Sequence, residues 1–372
     1  MRRSLITATA IALSVLSILP ANSSSLPTSF IKFADSPLLA HPGIIVIDPA
    51  TDQTLFSYKP DALRAPASVL KLVSMATAIH NLGIDKVFHT SLYQSTKPDT
   101  YLLLGESDPW LTASPFEATK YHRAFSPALI NALSTAHPGT RNFTIEYSGV
   151  YGKDLLILKK YFPKLKLDFV PLPSNNVANT LMAEKIAEIA SPPLSDIVKF
   201  TLLWSDNVLA DRLAHLAARK LGYVPDVQGV QLAFEETLGT LGVETKGLVI
   251  KDGNGLSKET RISARTVAQL LIAIEKNPEY QVIYDGLPLA GKTGTLKTRF
   301  VTDAPSAVGL VKAKTGWING TVSLAGYVTV GDNQYVFTVI ADHVKQTEYS
   351  RQLARETIDK MLATIAKPKT AA

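Results

Sequence analysis

A chain of 372 residues, 46% hydrophobic and 19% charged, can bury one large core or a few ordinary ones, which excludes a disordered polymer. Its 38 Lys and Arg against 32 Asp and Glu leave a formal net charge of +6 with no long run of one sign, so no nucleic-acid partner is expected. The absence of cysteine removes disulfides, thiolate nucleophiles, iron–sulfur clusters and thiolate zinc sites together.

Arg2 and Arg3 precede an apolar run from Leu5 to Leu19, and the small residue Ala21 stands before Asn22 and three serines, the plan of a secretory signal peptide over residues 1–21. The run is 15 residues long, short of the ~18 to 20 that cross a bilayer, so cleavage near Ala21 is expected in place of an anchor, with no integral membrane span afterwards. Loss of residues 1–21 takes away two arginines and no acid, leaving 36 cations against 32 acids and a net charge of +4. A mildly basic exported protein suits an anionic envelope, cell wall or periplasm.

Gly43–Asp48 and Thr54–Tyr58 are β-branched or aromatic runs separated by a turn and read as a hairpin. A helix follows from Ser68 to about Asn81, stopped by Gly83; its apolar groups lie nearly all the way round, so it is expected to be central and buried. From about 91 to 185 the pattern is irregular, with short strands such as Tyr101–Leu104 and a Pro-rich end at 170–174, and reads as an inserted region. Helical periodicity returns at Ala183–Ala190, Ser195–Leu203 and Asn207–Leu221, the last ended by Gly222. The C-terminal part holds strand-like Ser306–Gly316, Thr321–Val330 and Tyr335–Ala341, then an amphipathic helix from about Thr347 to Ala366 that is expected to pack on the sheet. Strands at both ends with helices between predict an α+β fold: an antiparallel sheet of N- and C-terminal strands packed with helices, plus a smaller inserted domain. The expected division is 30–90 with 186–372 as the main domain and 91–185 as the insertion.

Ser68 and Lys71 stand three apart at a helix start, on one face and about 5 to 6 Å between Cβ atoms. Serine is a poor nucleophile until a neighbour takes its proton, and an amine can do so only if its pKa falls well below ~10.4. Burial of Lys71 would push it towards ~7 to 8, while free N–H groups at the helix start, that of Ser68 included, point at any developing oxyanion. A second element is Ser205-Asp206-Asn207 at the mouth of the next helix, where Ser and Asp are also ordinary caps. The third is Lys314-Thr315-Gly316 on a strand, where a cation and a hydroxyl could receive a carboxylate and a glycine could let a backbone approach. Lys292-Thr293-Gly294 repeats this tripeptide 22 residues earlier in a turn-rich loop without strand pattern, and the later copy is taken as functional.

In this order, Ser-x-x-Lys, Ser-Asp-Asn and Lys-Thr-Gly resemble the signature of penicillin-binding proteins and serine β-lactamases. With Gly105–Pro109, Ser205–Ala210, Asp252–Ser257, Gly294–Phe300 and Leu324–Tyr327, the chain is most similar to the D-alanyl-D-alanine carboxypeptidase and endopeptidase branch of low-molecular-mass penicillin-binding proteins that carries an insertion between its first two motifs. The 137 residues from Ser68 to Ser205 exceed what a β-lactamase has and fall short of the longest insertions, so a single small domain is expected. Relatives usually carry Thr or Ser after Lys-Thr-Gly, whereas Trp317 stands here; its backbone N–H remains for an oxyanion, but a hydroxyl near the substrate carboxylate is lost.

The resemblance implies a β-lactamase/transpeptidase-like fold and a serine D-Ala-D-Ala carboxypeptidase or endopeptidase acting on peptidoglycan stem peptides, acylated by β-lactam antibiotics and needing no cofactor or metal. Ser68 would be the nucleophile, Lys71 its base, Ser205 a proton relay, and Asn207 the group that orients Lys71 and the substrate amide. Lys314 and Thr315 would bind the terminal carboxylate, the N–H groups of Ser68 and Trp317 would hold the oxyanion, and Gly316 would let the substrate backbone approach. Two alternatives stand beside it: a β-lactamase, which would need a deacylating acid that no segment identifies, and a peptidoglycan-binding protein with a decayed site, hinted at by Trp317. The seven histidines show no ligand spacing, and His215, between Leu213 and Leu216 on a helix, reads as structural. No Gly-x-Ser-x-Gly elbow supports a Ser-His-Asp hydrolase.

Overall fold

Four consecutive β-branched residues, Ile44 to Ile47, suit a strand covered on both faces, and all four are buried. The computed structural model describes residues 26–173 and 175–369, so the expected signal peptide lies outside the described residues. In chain order the strands are β1 (Gly43–Asp48), β2 (Gln53–Tyr58), β3 (His89–Ser95), β4 (Thr100–Gly105), β5 (Leu111–Thr112) and β6 (Ala124–Phe125). Then follow β7 (Asn142–Ser148), β8 (Lys166–Pro171), β9 (Met182–Ala190), β10 (Val311–Ile318), β11 (Thr321–Val330) and β12 (Asn333–Ala341).

One five-stranded sheet runs β10-β11-β12-β1-β2 and is antiparallel throughout. The two-residue period of β1 divides its side chains between two cores. Ile45 and Ile47 face the helices Lys71–Leu82, Asn207–Lys220, Val227–Thr240 and Ala264–Lys276, whereas Ile44 and Val46 pack with Phe30 and the C-terminal helix Glu348–Ala363. The sheet is thus sandwiched between helical layers, and the C-terminal helix seats its apolar side on it as expected. Residues 71–79 of the Lys71–Leu82 helix are buried without interruption, and Gly83 ends it at φ 81°. The fold is α+β, with the anticipated sheet of N- and C-terminal strands.

A second five-stranded sheet, β8-β7-β4-β3-β9, comes wholly from residues 89–190. Here β3 pairs antiparallel with β4 and β9, while β4–β7 and β7–β8 are parallel and β7 returns to β8 through the helix Gly152–Tyr161. Leu92, Leu103, Leu133, Phe143, Ile145 and Leu167 form a separate core under it.

Two expectations about elements are corrected. Residues 183–190 are not a helix but most of β9: alanine, glutamate and lysine favour a helix locally, yet pairing with β3 and burial against the second core prevail. The strand bearing the last motif begins at Val311, not Ser306, because Pro305–Ala307 forms a 3-10 turn and Gly309 turns the chain at φ 78°.

Candidate active site

Ser68 does not start the α-helix but sits one turn ahead of it, in the 3-10 turn Ala67–Leu70, with Lys71 opening the helix proper. Ala67 takes a left-handed backbone at φ 51°, a strained setting immediately before the serine. Lys71 is 0% exposed, and each of its three N–H donors has an acceptor. Nζ donates to Ser68 Oγ at 2.8 Å, to Asn207 Oδ1 at 2.8 Å and to the Asn254 carbonyl at 2.7 Å. Burial lowers its pKa to about 8, against the opposing pull of Asp252, Asp206 and Asp211. Roughly a tenth of such an amine is unprotonated at pH 7, enough to take a proton from Ser68.

Ser205 closes the helix Leu194–Trp204 in a left-handed conformation (φ 59°, ψ 39°), and Asp206 caps the next helix by accepting from the Leu209 N–H at 2.9 Å. The cap fixes both neighbours: Asn207 reaches Lys71, and Ser205 accepts from Lys314 Nζ at 2.8 Å. Lys314 also donates to the Thr315 carbonyl at 2.9 Å. It is fully enclosed, and burial, reinforced by the cation of Lys71, pushes its pKa well below the ordinary lysine value.

On β10, the outer strand of the first sheet, a Cβ at Gly316 would come within 2.0 Å of Ser323 Oγ and 2.8 Å of the Pro66 carbonyl. The backbone admitted so closely is therefore the protein's own turn before Ser68. Thr315 Oγ1 lies 2.9 Å from Thr295 Oγ1. Trp317 stacks against two cations, Arg351 at 4.9 Å and Arg355 at 5.4 Å from the ring centroid.

These groups converge on one cleft of about 440 Å³. Ser68, Ser205, Asn207, Thr315, Gly316 and Trp317 line it, and the two lysines lie bonded behind them, so the structure brings all eight expected residues together. It also adds residues not anticipated as contributors: the Asn254 carbonyl, Leu256, Thr295, Arg299, Glu348 and Arg355. The loop carrying Asn254 is shaped by Asp252, which accepts from the Gly255 N–H at 2.7 Å and the Ser257 N–H at 2.6 Å. Arg299 is buried and engages Asp359 through both Nε and an Nη.

The earlier Lys292-Thr293-Gly294 copy lies outside this strand system. Lys292 is exposed, Thr293 Oγ1 accepts from the Leu289 N–H at 2.9 Å, and Gly294 opens a 3-10 turn against Leu203. His215 is not the satisfied structural histidine expected, because its buried Nδ1 has no hydrogen-bond partner and Asp211 lies 3.8 Å from Nε2. Among the described residues, no group of three or more His, Asp or Glu could hold a metal ion.

The sequence profile of the D-Ala-D-Ala carboxypeptidase 3 (S13) family matches residues 32–122 and 175–365. Carboxypeptidase DacB of Mycolicibacterium smegmatis is 34% identical over 185 residues, which cover 48% of this chain and 39% of that protein. The chain thus spans well under half the length of this curated relative. Penicillin binding protein 4 from Haemophilus influenzae superposes with a TM-score of 0.69 at 18% identity, covering 86% of this chain and 95% of that one. The penicillin G acylated Bd3459 endopeptidase of Bdellovibrio bacteriovorus superposes at 0.60 with 16% identity, over 89% and 94%. At these identities the superpositions establish a shared fold.

Proposed function

This chain belongs to the D-Ala-D-Ala carboxypeptidase 3 (S13) family, and from that premise we propose that it is an exported serine DD-peptidase acting on peptidoglycan stem peptides. The observation that carries the reading is the 2.8 Å contact between Ser68 Oγ and the fully buried Lys71 ammonium. A serine paired with a desolvated amine is an activated nucleophile.

In its neutral form Lys71 takes the Ser68 proton as Oγ attacks the carbonyl of the penultimate D-Ala. The N–H groups of Ser68 and Trp317 hold the oxyanion, and Asn207 orients both the amine and the substrate amide. As the C–N bond breaks, Ser205, bonded to Lys314, passes a proton to the departing amine. Thr315 and Lys314 hold the carboxylate of the departing residue. Water then attacks the ester on Ser68, releasing the shortened peptide and restoring the hydroxyl. β-Lactams would enter the same path and stop at the acyl-enzyme, in keeping with the penicillin G acylated state of the Bdellovibrio neighbour.

Export is part of the proposal, since the substrate lies outside the cytoplasm. Among the described residues no helix is long and apolar enough to cross a membrane. We also read residues 89–190 as a small domain inserted into the peptidase domain, supported by its own sheet and core. The test is D-Ala release from a defined pentapeptide compared with cleavage of a cross-linked dimer. Release from the pentapeptide supports a carboxypeptidase, dimer cleavage an endopeptidase, and inertness toward both contradicts the reading.

A further inference from the structure

Of the acceptors around Lys71 Nζ, the Asn254 carbonyl belongs to a loop whose own position must be fixed. The peptide before it is held from two helices. Ser74, on the Lys71–Leu82 helix, donates to the Gly253 carbonyl at 2.5 Å, and the Gly253 N–H donates to Asp211 Oδ1 at 2.9 Å. The loop also lies hard against the Asn207–Lys220 helix: a Cβ at Gly253 would come within 2.6 Å of Ala214 Cβ and 3.1 Å of Asp211 Cα. Asn207 and Asp211 stand four apart on that helix and share a face. One helix thus supplies Lys71 with an acceptor directly and clamps the loop that supplies another. Asp211 lies beyond the first turn, so the helix dipole gives little reason for a carboxylate there.

Proton transfer is where these acceptors matter. The ammonium has three N–H donors, but the neutral amine that takes the Ser68 proton has two and a lone pair. With those two donated to Asn207 Oδ1 and the Asn254 carbonyl, the lone pair is left pointing at Ser68 Oγ. If the Asn254 carbonyl shifts, one N–H is released and the lone pair is no longer confined to the serine. Asp211 also brings charge. Around Lys71 lie Asp206 and Asp211 on the helix, Asp252 on the loop and Lys314 on β10, and the three carboxylates favour the ammonium against burial. Around Asp211, His215 Nε2 lies 3.8 Å from Oδ2, while Arg212 is engaged by Asp154 and the Tyr151 ring.

We propose that Asp211 is a positioning residue for acyl transfer: its carboxylate holds the Gly253 N–H, which sets the Asn254 carbonyl against Lys71 and leaves the amine lone pair aimed at Ser68. This rests on the peptidase reading and deepens it, by assigning control of Lys71 to a carboxylate that acts through the loop.

The experiment measures the pH profile of acylation by penicillin G in the full chain and in two variants. Asp211→Ala loses both the loop contact and the charge. Its plateau rate at high pH should fall on the order of 10- to 100-fold, and its midpoint should drop below the wild-type value. Asp211→Asn keeps an oxygen that accepts from Gly253 but loses the charge, so it should retain most of the plateau while its midpoint also drops. In D-Ala release from a defined pentapeptide, kcat should follow the plateau with KM changed far less. A wild-type plateau in Asp211→Ala would overturn this assignment alone. So would a midpoint unmoved in Asp211→Asn, the result expected of a merely structural carboxylate, which decides the matter if Asp211→Ala does not fold. A wild type that releases no D-Ala and is not acylated by penicillin G would overturn the peptidase reading and this assignment with it.

Discussion

Gly316 and Ser323 face each other across β10 and β11, and Ser323 Oγ donates past the missing side chain to the Pro66 carbonyl at 2.6 Å. That contact fastens the outer strand to the turn that carries Ser68. Gly316→Ala would drive a methyl into Ser323 Oγ and push the strand off the turn. Misplacement of about 1 Å costs roughly 100-fold in rate, so penicillin acylation of the variant should slow by about that factor, alongside an overpacking cost of about 1 to 3 kcal/mol in stability. An unaltered acylation rate would contradict this role for the glycine.

Lys71, lowered to about 8, should make the proposed acylation pH-dependent. Below that pH the neutral amine falls about tenfold per unit, so the second-order rate with penicillin should rise from pH 6 to 8 and level off above. Asn207→Asp would place a carboxylate 2.8 Å from Nζ and move the midpoint upward. Stability follows the same group: between about 8 and the unfolded value near 10.4 the unfolded chain binds more protons, so unfolding free energy should rise with pH across that window. Stopped-flow profiles of both proteins check the catalytic part, and denaturant titrations at several pH values the other.

Removing Ser205 should separate binding from turnover. Ser205→Ala takes away both the proposed relay and one of the two described acceptors of Lys314. D-Ala release should fall by about 10²- to 10⁴-fold in kcat with KM changed far less. A variant with unaltered kcat would remove Ser205 from the proton path.

Arg299 and Asp359 form an ion pair that is buried at both ends, 7% and 3% exposed, and tie the 294–300 segment to the C-terminal helix. Asp359→Ala leaves an uncompensated buried cation and should cost about 3 to 5 kcal/mol in chemical denaturation. A loss below about 1 kcal/mol would show that water reaches the arginine and that the pair is not a structural tie.

Much of this site was legible in one dimension because its chemistry rests on side chains with recognisable spacing. Ser68 and Lys71 are close in any helical turn, and Ser205 with Asn207 flank a cap whose geometry follows from Asp206. What escaped was of two kinds. The Asn254 carbonyl holds Lys71 as closely as Asn207 does, yet a backbone acceptor has no residue-type signature. Arg355 reaches the cleft only because the C-terminal helix packs against β11, a contact across the sheet that no local pattern encodes. The fold shows the same division: runs of β-branched and apolar residues marked β1 and β11, while β9 was hidden under helix-favouring residues that the neighbouring strand overrides.

On the proposed reading, Ser68, activated by Lys71, becomes covalently acylated. Incubation of the purified chain with penicillin G, followed by intact-mass measurement and peptide mapping, tests it most directly. One adduct per chain is expected, of the mass of the intact drug, on the peptide containing Ser68, absent in Ser68→Ala and strongly slowed in Lys71→Met. No adduct, or an adduct on another residue that persists in Ser68→Ala, would contradict it.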